Sequence, residues 1–171
     1  MNTKTCTKCG RSLPLTEFHK HKITKDGLSH VCKDCSRERL RAFSKTASGI
    51  YTAMKSRQKF YKKNQPWRFK PVIISRDAFV KWFESQPQKC HYCGLKLEEL
   101  SKVNDFYNNK SSRMSVDVVN NDLGYVAGNL VICCHRCNGI KSDFLTHDEM
   151  LEIGQRFVKP KWEKTLGEKD E

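Results

Sequence analysis

The sequence predicts an α+β protein assembled from small modules rather than around one large apolar core. Three observations predict it. Only 37% of the 171 residues are hydrophobic while 30% are charged, which is lean for a single sizeable core. Nine residues are cysteine, and eight of these form four C-x-x-C pairs, Cys6/Cys9, Cys32/Cys35, Cys90/Cys93 and Cys134/Cys137. Between the pairs, short strand-like and helix-like patterns alternate with turn signals.

One C-x-x-C pair is a weak signal and four are a strong one. Each pair sets two thiolates at the spacing that grips one edge of a tetrahedral zinc ion. Sequence order groups them into Cys6/Cys9/Cys32/Cys35 and Cys90/Cys93/Cys134/Cys137. A redox C-x-x-C belongs beside a βαβ pattern, and none surrounds these pairs. Two structural zincs are therefore expected, each contributing on the order of 10 kcal/mol to the folding of its module. No run of 18 apolar residues occurs, and Met1-Asn2-Thr3-Lys4 lacks the apolar stretch of a secretory signal. No membrane span and an intracellular protein are the expectations, a setting in which paired cysteines bind metal more often than they oxidise. The ninth cysteine, Cys133, follows Leu130-Val131-Ile132 and is expected to face the core as a small apolar residue.

In chain order, residues 1–36 form the first zinc module, with turns at Pro14 and Gly27. Residues 37–88 form a basic helical connector. Its helical composition runs over 36–63 with a break near Ser48-Gly49, and Pro66 and Pro71 bracket an irregular segment. Ser75 can cap a helix whose Phe79, Trp82 and Phe83 share a core-facing side, and Pro87 ends it. Residues 89–158 hold the second zinc module. Within it, 98–112 is polar and loop-like, Met114–Val119 and Asn129–Cys133 read as strands, and Asn120-Asn121-Asp122-Leu123-Gly124 is the turn between them. A helix is expected to start around Asn138. Thr146 and Glu149 form a capping box for a last helix carrying Leu151, Ile153, Phe157 and Val158 inward. Residues 159–171 read as a charged, frayed tail.

The net charge of +13 is unevenly spread. Arg37, Arg39, Arg41, Lys45, Lys55, Arg57, Lys59, Lys62, Lys63, Arg68 and Lys70 face one acid, Glu38, within residues 37–70. So much uncompensated charge needs a counter-ion, and nucleic-acid phosphate supplies one. These eleven side chains are the candidate phosphate contacts.

Five motif fragments in order carry a family resemblance. Cys90-His91-Tyr92-Cys93-Gly94, Val116-Asp117, Gly124-Tyr125, Asn129-Leu130 and Cys134-His135-Arg136-Cys137-Asn138, with Lys141 beyond, resemble the HNH nucleases. Cys6-x-x-Cys9 followed by Leu13, Glu17-Phe18 and Cys32-Lys33-x-Cys35 looks like the accessory zinc module of many phage and bacterial HNH proteins. The resemblance implies a ββα-metal fold at the C-terminal side, a hairpin packed on a helix with one catalytic cation, zinc being a separate structural ion. It places Asp117 and Asn138 as ligands of a catalytic Mg or Mn and Asn129 as the residue that tethers the loop and orients the site. It adds Lys141 to the residues facing DNA. Oxygen ligands suit such a hard cation, which acts as the Lewis acid of phosphodiester hydrolysis.

One position departs from the family. The usual general base is a histidine directly after the metal-binding aspartate, and here that residue is Val118. Related two-zinc restriction enzymes carry arginine there, which is also absent. Three explanations remain open: a base from the knuckle, His91 or Tyr92; charge supplied by Arg113, which shares a strand face with Ser115 and Asp117; or a catalytically dead domain. His135, inside the last C-x-x-C, reads as a surface or DNA-contacting residue. The resulting expectation is a metal-dependent HNH endonuclease acting on double-stranded DNA, of restriction, homing or phage nicking type. It would work in the cytoplasm of a bacterial or phage-infected cell, as a homodimer if it breaks both strands. The alternative is an inactive HNH-fold zinc protein that binds DNA as a regulator.

Overall fold

The computed structural model describes residues 2–103 and 113–167. The expected loop segment Asn108-Asn109-Lys110-Ser111-Ser112 and the last four residues of the tail lie outside the described residues. The chain divides into two compact units, residues 1–46 and 47–171.

The first unit is two small hairpins and a helix. β1 (Thr3–Thr5) pairs antiparallel with β2 (Ser12–Pro14), and β3 (Phe18–Lys20) with β4 (Leu28–Cys32). The chain reverses after Cys9 through Gly10 at φ +71°, a left-handed conformation that suits glycine. Cys32 ends β4 and Cys35 lies in the first turn of α1 (Lys33–Lys45), so the second pair spans a strand-to-helix corner. Phe18 and three of the cysteines are the buried core, with Leu13, Leu28 and Val31 against them. That is too little apolar area to hold 46 residues by itself, as expected of a metal-dependent module.

The basic stretch does not form one connector. The helix breaks at Thr46, whose backbone is extended at φ −76°, ψ 154°, two residues before the expected site. α1 belongs to the first unit and α2 (Ala47–Asn64) to the second. The reason is burial: Ala47, Gly49, Ile50 and Met54 on α2 are core residues of the second unit, whereas Cys35 is the buried residue of α1.

In the second unit α2 packs on α3 (Arg76–Ser85). The Ser75 hydroxyl accepts from the Ala78 amide and caps α3, which stops before Pro87. Phe79 stands between Tyr51 and Phe83 with ring centroids 5.5 and 5.9 Å away. β5 (Ser115–Val118) and β6 (Leu130–Cys133) form an antiparallel hairpin that pairs Asp117 with Val131. At its turn, Gly124 has φ +68°, and a Cβ there would sit 2.6 Å from Pro71. The Tyr125 amide donates to the Pro71 carbonyl at 2.8 Å, fastening the hairpin loop to the segment after α2.

α4 (His135–Lys141) starts three residues earlier than expected, because the Cys134 thiol itself accepts from the Cys137 amide and caps the helix. Asn138 is therefore inside α4, on its second turn. α5 (His147–Ile153) carries the Thr146/Glu149 capping box. It runs through a π turn over Gly154–Val158 into α6 (Lys159–Gly167). The segment expected to fray is thus helical as far as Gly167, anchored by the buried Trp162. Phe157, expected in the core, is 54% exposed. The residues that turn inward are Met150, Gly154, Val158 and Trp162, four apart each time, because the π turn underwinds the helix. Cys133 is fully buried, as a small apolar residue would be. Among the described residues no helix is long and apolar enough to cross a membrane.

Candidate functional site

Each unit gathers four cysteine sulfurs. Cys6, Cys9, Cys32 and Cys35 lie with their Sγ atoms within 4.8 Å of one another, as do Cys90, Cys93, Cys134 and Cys137. The Sγ atoms of Cys93 and Cys134 are 3.8 Å apart. A tetrahedron with 2.3 Å zinc–sulfur bonds has an edge of about 3.8 Å, so the thiols fit zinc and not a disulfide. All nine cysteines are free thiols. The two four-cysteine groups are the sets of three or more Cys, His, Asp or Glu gathered to hold a metal among the described residues.

The second cluster holds a knuckle against the β5–β6 hairpin, and the knuckle brings Tyr92 under Asp117. Tyr92 is fully buried, and its hydroxyl donates to Asp117 Oδ2 at 2.8 Å. Lys141 Nζ stands 3.4 Å from that same oxygen. Its remaining protons go to the Val118 carbonyl at 2.9 Å and Asn121 Oδ1 at 3.1 Å. Both partners engage Oδ2. Burial, and then the Asp117 charge, push the Tyr92 phenol well above its ordinary range. In this arrangement the Tyr92 hydroxyl is a donor that holds Asp117.

Lys141 requires a correction of place. It is 0% exposed and points inward, so it makes no surface contact with DNA. Three acceptors replace its water there, so removing any one of them would leave a buried charge poorly compensated. Val118 is equally buried, since alternation along β5 turns its side chain away from Asp117 into the core.

Asp117 lies on the wall of an open cavity of about 330 Å³ that belongs entirely to the second unit. Asn138 and His135, on one face of α4 at i, i+3 spacing, share that wall. Asn138 Nδ2 donates to Ser115 Oγ at 2.9 Å, which turns the amide oxygen the other way. Arg57, Arg68 and Lys70 also line it, with Tyr61 and Tyr125. Burial pushes the Tyr125 phenol up to about 12. Lys70 Nζ is not loose: it donates to Asn121 Oδ1 at 2.9 Å and pairs with Asp143 at 2.7 Å. Asn121 thus joins Lys70 to Lys141 through one oxygen.

Asn129 does not reach the cavity wall. Its amide nitrogen donates to the carbonyls of Asn120 at 2.9 Å and Gly124 at 2.7 Å, and its oxygen accepts from the Asn120 amide at 2.8 Å. These three bonds tie the hairpin loop. Its contribution is to hold the loop, with no contact to a reacting group.

The remaining candidates separate. His91 Nε2 meets His147 Nε2 at 2.9 Å and lines a different cavity, beside Leu130 and Gln155. Burial, and then His147, lower its pKa. Arg113 is half-buried near Arg57 and His135, with its pKa lowered by burial and then by Arg57. His135, read as a surface or DNA-contacting residue, is half-buried on the cavity wall. One ring nitrogen bonds the Arg113 backbone, while Nε2 is buried without a partner among the described residues. Burial, followed by the charges of Arg113 and Arg57, hold its pKa below the ordinary value. The signal is present as the His135/Asn138 spacing, readable once the helix start is known.

The expected phosphate contacts distribute over both units. Arg37, Arg39, Arg41 and Lys45 are exposed on α1, where Arg37 pairs with Asp34 and the lone acid Glu38 pairs with Lys8. Lys59, Lys62 and Lys63 are carried on α2, while Lys55 is partly covered and donates to the Val72 carbonyl at 3.2 Å. The Arg68 guanidinium lies 5.1 Å over the Tyr61 ring.

No protein-family model matches the chain. A protein of the SPbeta prophage of Bacillus subtilis strain 168, YoqL, named for HNH endonuclease activity, is 27% identical over 183 aligned positions. That alignment covers 82% of this chain and 76% of the relative. Among solved structures, the rare-cutting HNH restriction endonuclease PacI superposes with a TM-score of 0.50 at 22% identity, covering 94% of this chain and 96% of that one. The likeness to HNH endonucleases carried by the motifs is therefore present in both sequence and fold.

Proposed function

We propose that the chain is a metal-dependent HNH endonuclease that hydrolyses phosphodiester bonds in duplex DNA. The observation that carries this reading is Asp117 beside Asn138 on the wall of a cationic cavity, with one carboxylate oxygen held from beneath by Tyr92 and Lys141. Asp117 Oδ1 and the Asn138 side-chain oxygen would hold the Mg or Mn ion, and both are the oxygen donors such an ion takes. That ion supplies Lewis-acid polarisation of the scissile phosphate. Arg57 and Arg68 draw the phosphate in and fix its orientation, a task suited to planar guanidinium groups. His135 shares that wall, with its Nε2 buried. The two zinc sites hold the units and take no part in the reaction. Exposed cations on α1 and α2 bind the DNA backbone without reading its sequence. The prophage relative favours a phage-derived nuclease acting in a bacterial cytoplasm, and double-strand cleavage would call for a homodimer.

A second reading has one specific observation in its favour. Val118 is apolar and buried where the family's base would stand. On that reading the fold binds DNA and does not cut it. Supercoiled plasmid with magnesium or manganese decides between them. The unaltered protein should nick it, and Asp117→Ala should abolish nicking while DNA retention in a gel stays within about threefold, because Asp117 makes none of the backbone contacts. No cleavage by the unaltered protein with either ion leaves the DNA-binding reading.

A further inference from the structure

We infer that the nuclease cavity holds its divalent cation weakly until DNA is bound, and that the buried Lys141 lowers the affinity for that cation in both states. The inference rests on the proposed catalytic cation at Asp117 and concerns what governs its occupancy.

The charges around the cavity run against a free cation. A hard dication needs several oxygen ligands, with negative charge among them. Among the described residues no set of three acidic or imidazole ligands gathers at this cavity. Asp117 and Asp143 are the carboxylates among the described lining residues, and the Lys141 ammonium sits 3.4 Å from Asp117, buried where water screens the charge poorly. In a buried setting that proximity offsets most of the pull the carboxylate would exert on an incoming ion. The same lining adds Arg57, Arg68 and Lys70, the last paired with Asp143. As built, the cavity attracts an anion and repels a dication. A scissile phosphate reverses this: it neutralises the arginines and brings oxygen ligands with negative charge to complete the seat. DNA and cation then each raise the affinity of the other, and linkage makes the two factors equal.

Lys141 differs from the wall cations in a way that can be tested. Phosphate can neutralise Arg57 and Arg68 directly. Lys141 lies beneath Asp117, fully buried, so its charge stays opposed to the ion and lowers its affinity in both states. Its role is positioning and charge balance, not contact with the substrate.

The experiment is an electron-paramagnetic-resonance titration of Mn²⁺ into the full, zinc-loaded chain, alone and with a short random-sequence duplex. A duplex-only blank is subtracted, and times are kept short enough that no cleavage is detected. The expected result is manganese binding on the order of tenfold tighter or more with DNA present, matched by an equal gain in duplex affinity when Mn²⁺ is added. K141M should raise the manganese affinity by roughly tenfold both with and without DNA, leaving the coupling itself unchanged. K141Q keeps a polar donor for the Val118 carbonyl and serves if K141M does not fold. Equal manganese affinity with and without DNA, in a protein that nicks plasmid, overturns this inference and leaves the nuclease reading standing. Unchanged DNA-free affinity in a folded Lys141 variant overturns the role given to Lys141. No manganese binding in either state, together with no cleavage, sinks the nuclease reading as well.

Discussion

Gly154→Ala tests how the last helix supports the candidate catalytic carboxylate. Gly154 has ordinary helical angles, φ −59° and ψ −49°, so alanine meets no backbone strain. By helix propensity alone the change should stabilise by about 1 kcal/mol. Packing says the opposite. A Cβ at this position would stand 2.5 Å from the Tyr92 carbonyl oxygen, 2.7 Å from its carbon and 2.9 Å from its Cβ. Main-chain atoms cannot swing aside as a flexible side chain can. Restoring ordinary separation requires the helix and the knuckle to part by roughly 1 Å. The Gln155 side chain donates to the same Tyr92 carbonyl at 2.6 Å and would be strained by that movement. Overpacking of this kind costs about 1–3 kcal/mol, so a net destabilisation of roughly 0–2 kcal/mol remains. Urea unfolding would read it as a lower midpoint at unchanged slope. Because Tyr92 carries Asp117 Oδ2, plasmid nicking should fall further than stability does, by up to about 100-fold for a 1 Å displacement. A Gly154→Ala protein that is more stable and nicks at the original rate would refute the claim that the knuckle positions Asp117.

Other substitutions separate the remaining roles. Tyr92→Phe should slow nicking by about tenfold or more and leave the shape of the pH–rate profile unchanged, since the phenol holds Asp117 and does not exchange its proton; disappearance of an alkaline limb would restore it as the base. His135→Ala should reduce nicking by roughly 10–100-fold with plasmid retention unaltered, and a change in retention alone would make it a DNA contact. Alanine at Lys59, Lys62 and Lys63 together should weaken binding to every duplex alike and reduce the salt slope by about 0.9 for each phosphate no longer neutralised, where altered sequence preference at constant slope would mean base reading. Cys6→Ser should lower the zinc content from two ions to one by elemental analysis while near-ultraviolet signals from the α3 aromatics persist, because that core lies wholly in the second unit; collapse of both would mean the units do not fold separately.

Local chemistry is legible in the sequence, and cumulative geometry is not. Ser75 and Thr146 announce helix starts because a short side chain reaching its own backbone is a local event. The cysteine pairs are legible for the same reason, while Asp117 is legible through the resemblance of its motif to the HNH nucleases. The start of α4 is hidden because a zinc-ligand cysteine, not a conventional cap, opens it. Phe157 reads as a core residue because the spacing of an unbroken α-helix puts it inward, whereas the π turn rotates it out and brings Val158 in. Lys141 reads as a surface cation because a lone lysine after a C-x-x-C-N carries no sign of its partner, and Asp117 comes 24 positions earlier. The helix break at Thr46 is legible to within two residues, but that it separates two units is not, since the charge pattern runs across it without change.

The order of the cysteines along the chain has a consequence for synthesis. Translation proceeds from the N-terminus, and domains generally fold as they emerge. The first unit can take its zinc as soon as Cys35 leaves the ribosome. The second cannot close its cluster before Cys137, and the core around Tyr92 still lacks Met150, Val158 and Trp162 at that stage. A nascent chain therefore exposes a folded, basic first unit well before it possesses an assembled cutting site. Ribosome-arrested chains ending at residue 145 should retain the first zinc and show no nicking, and nicking should first appear in chains released beyond Trp162.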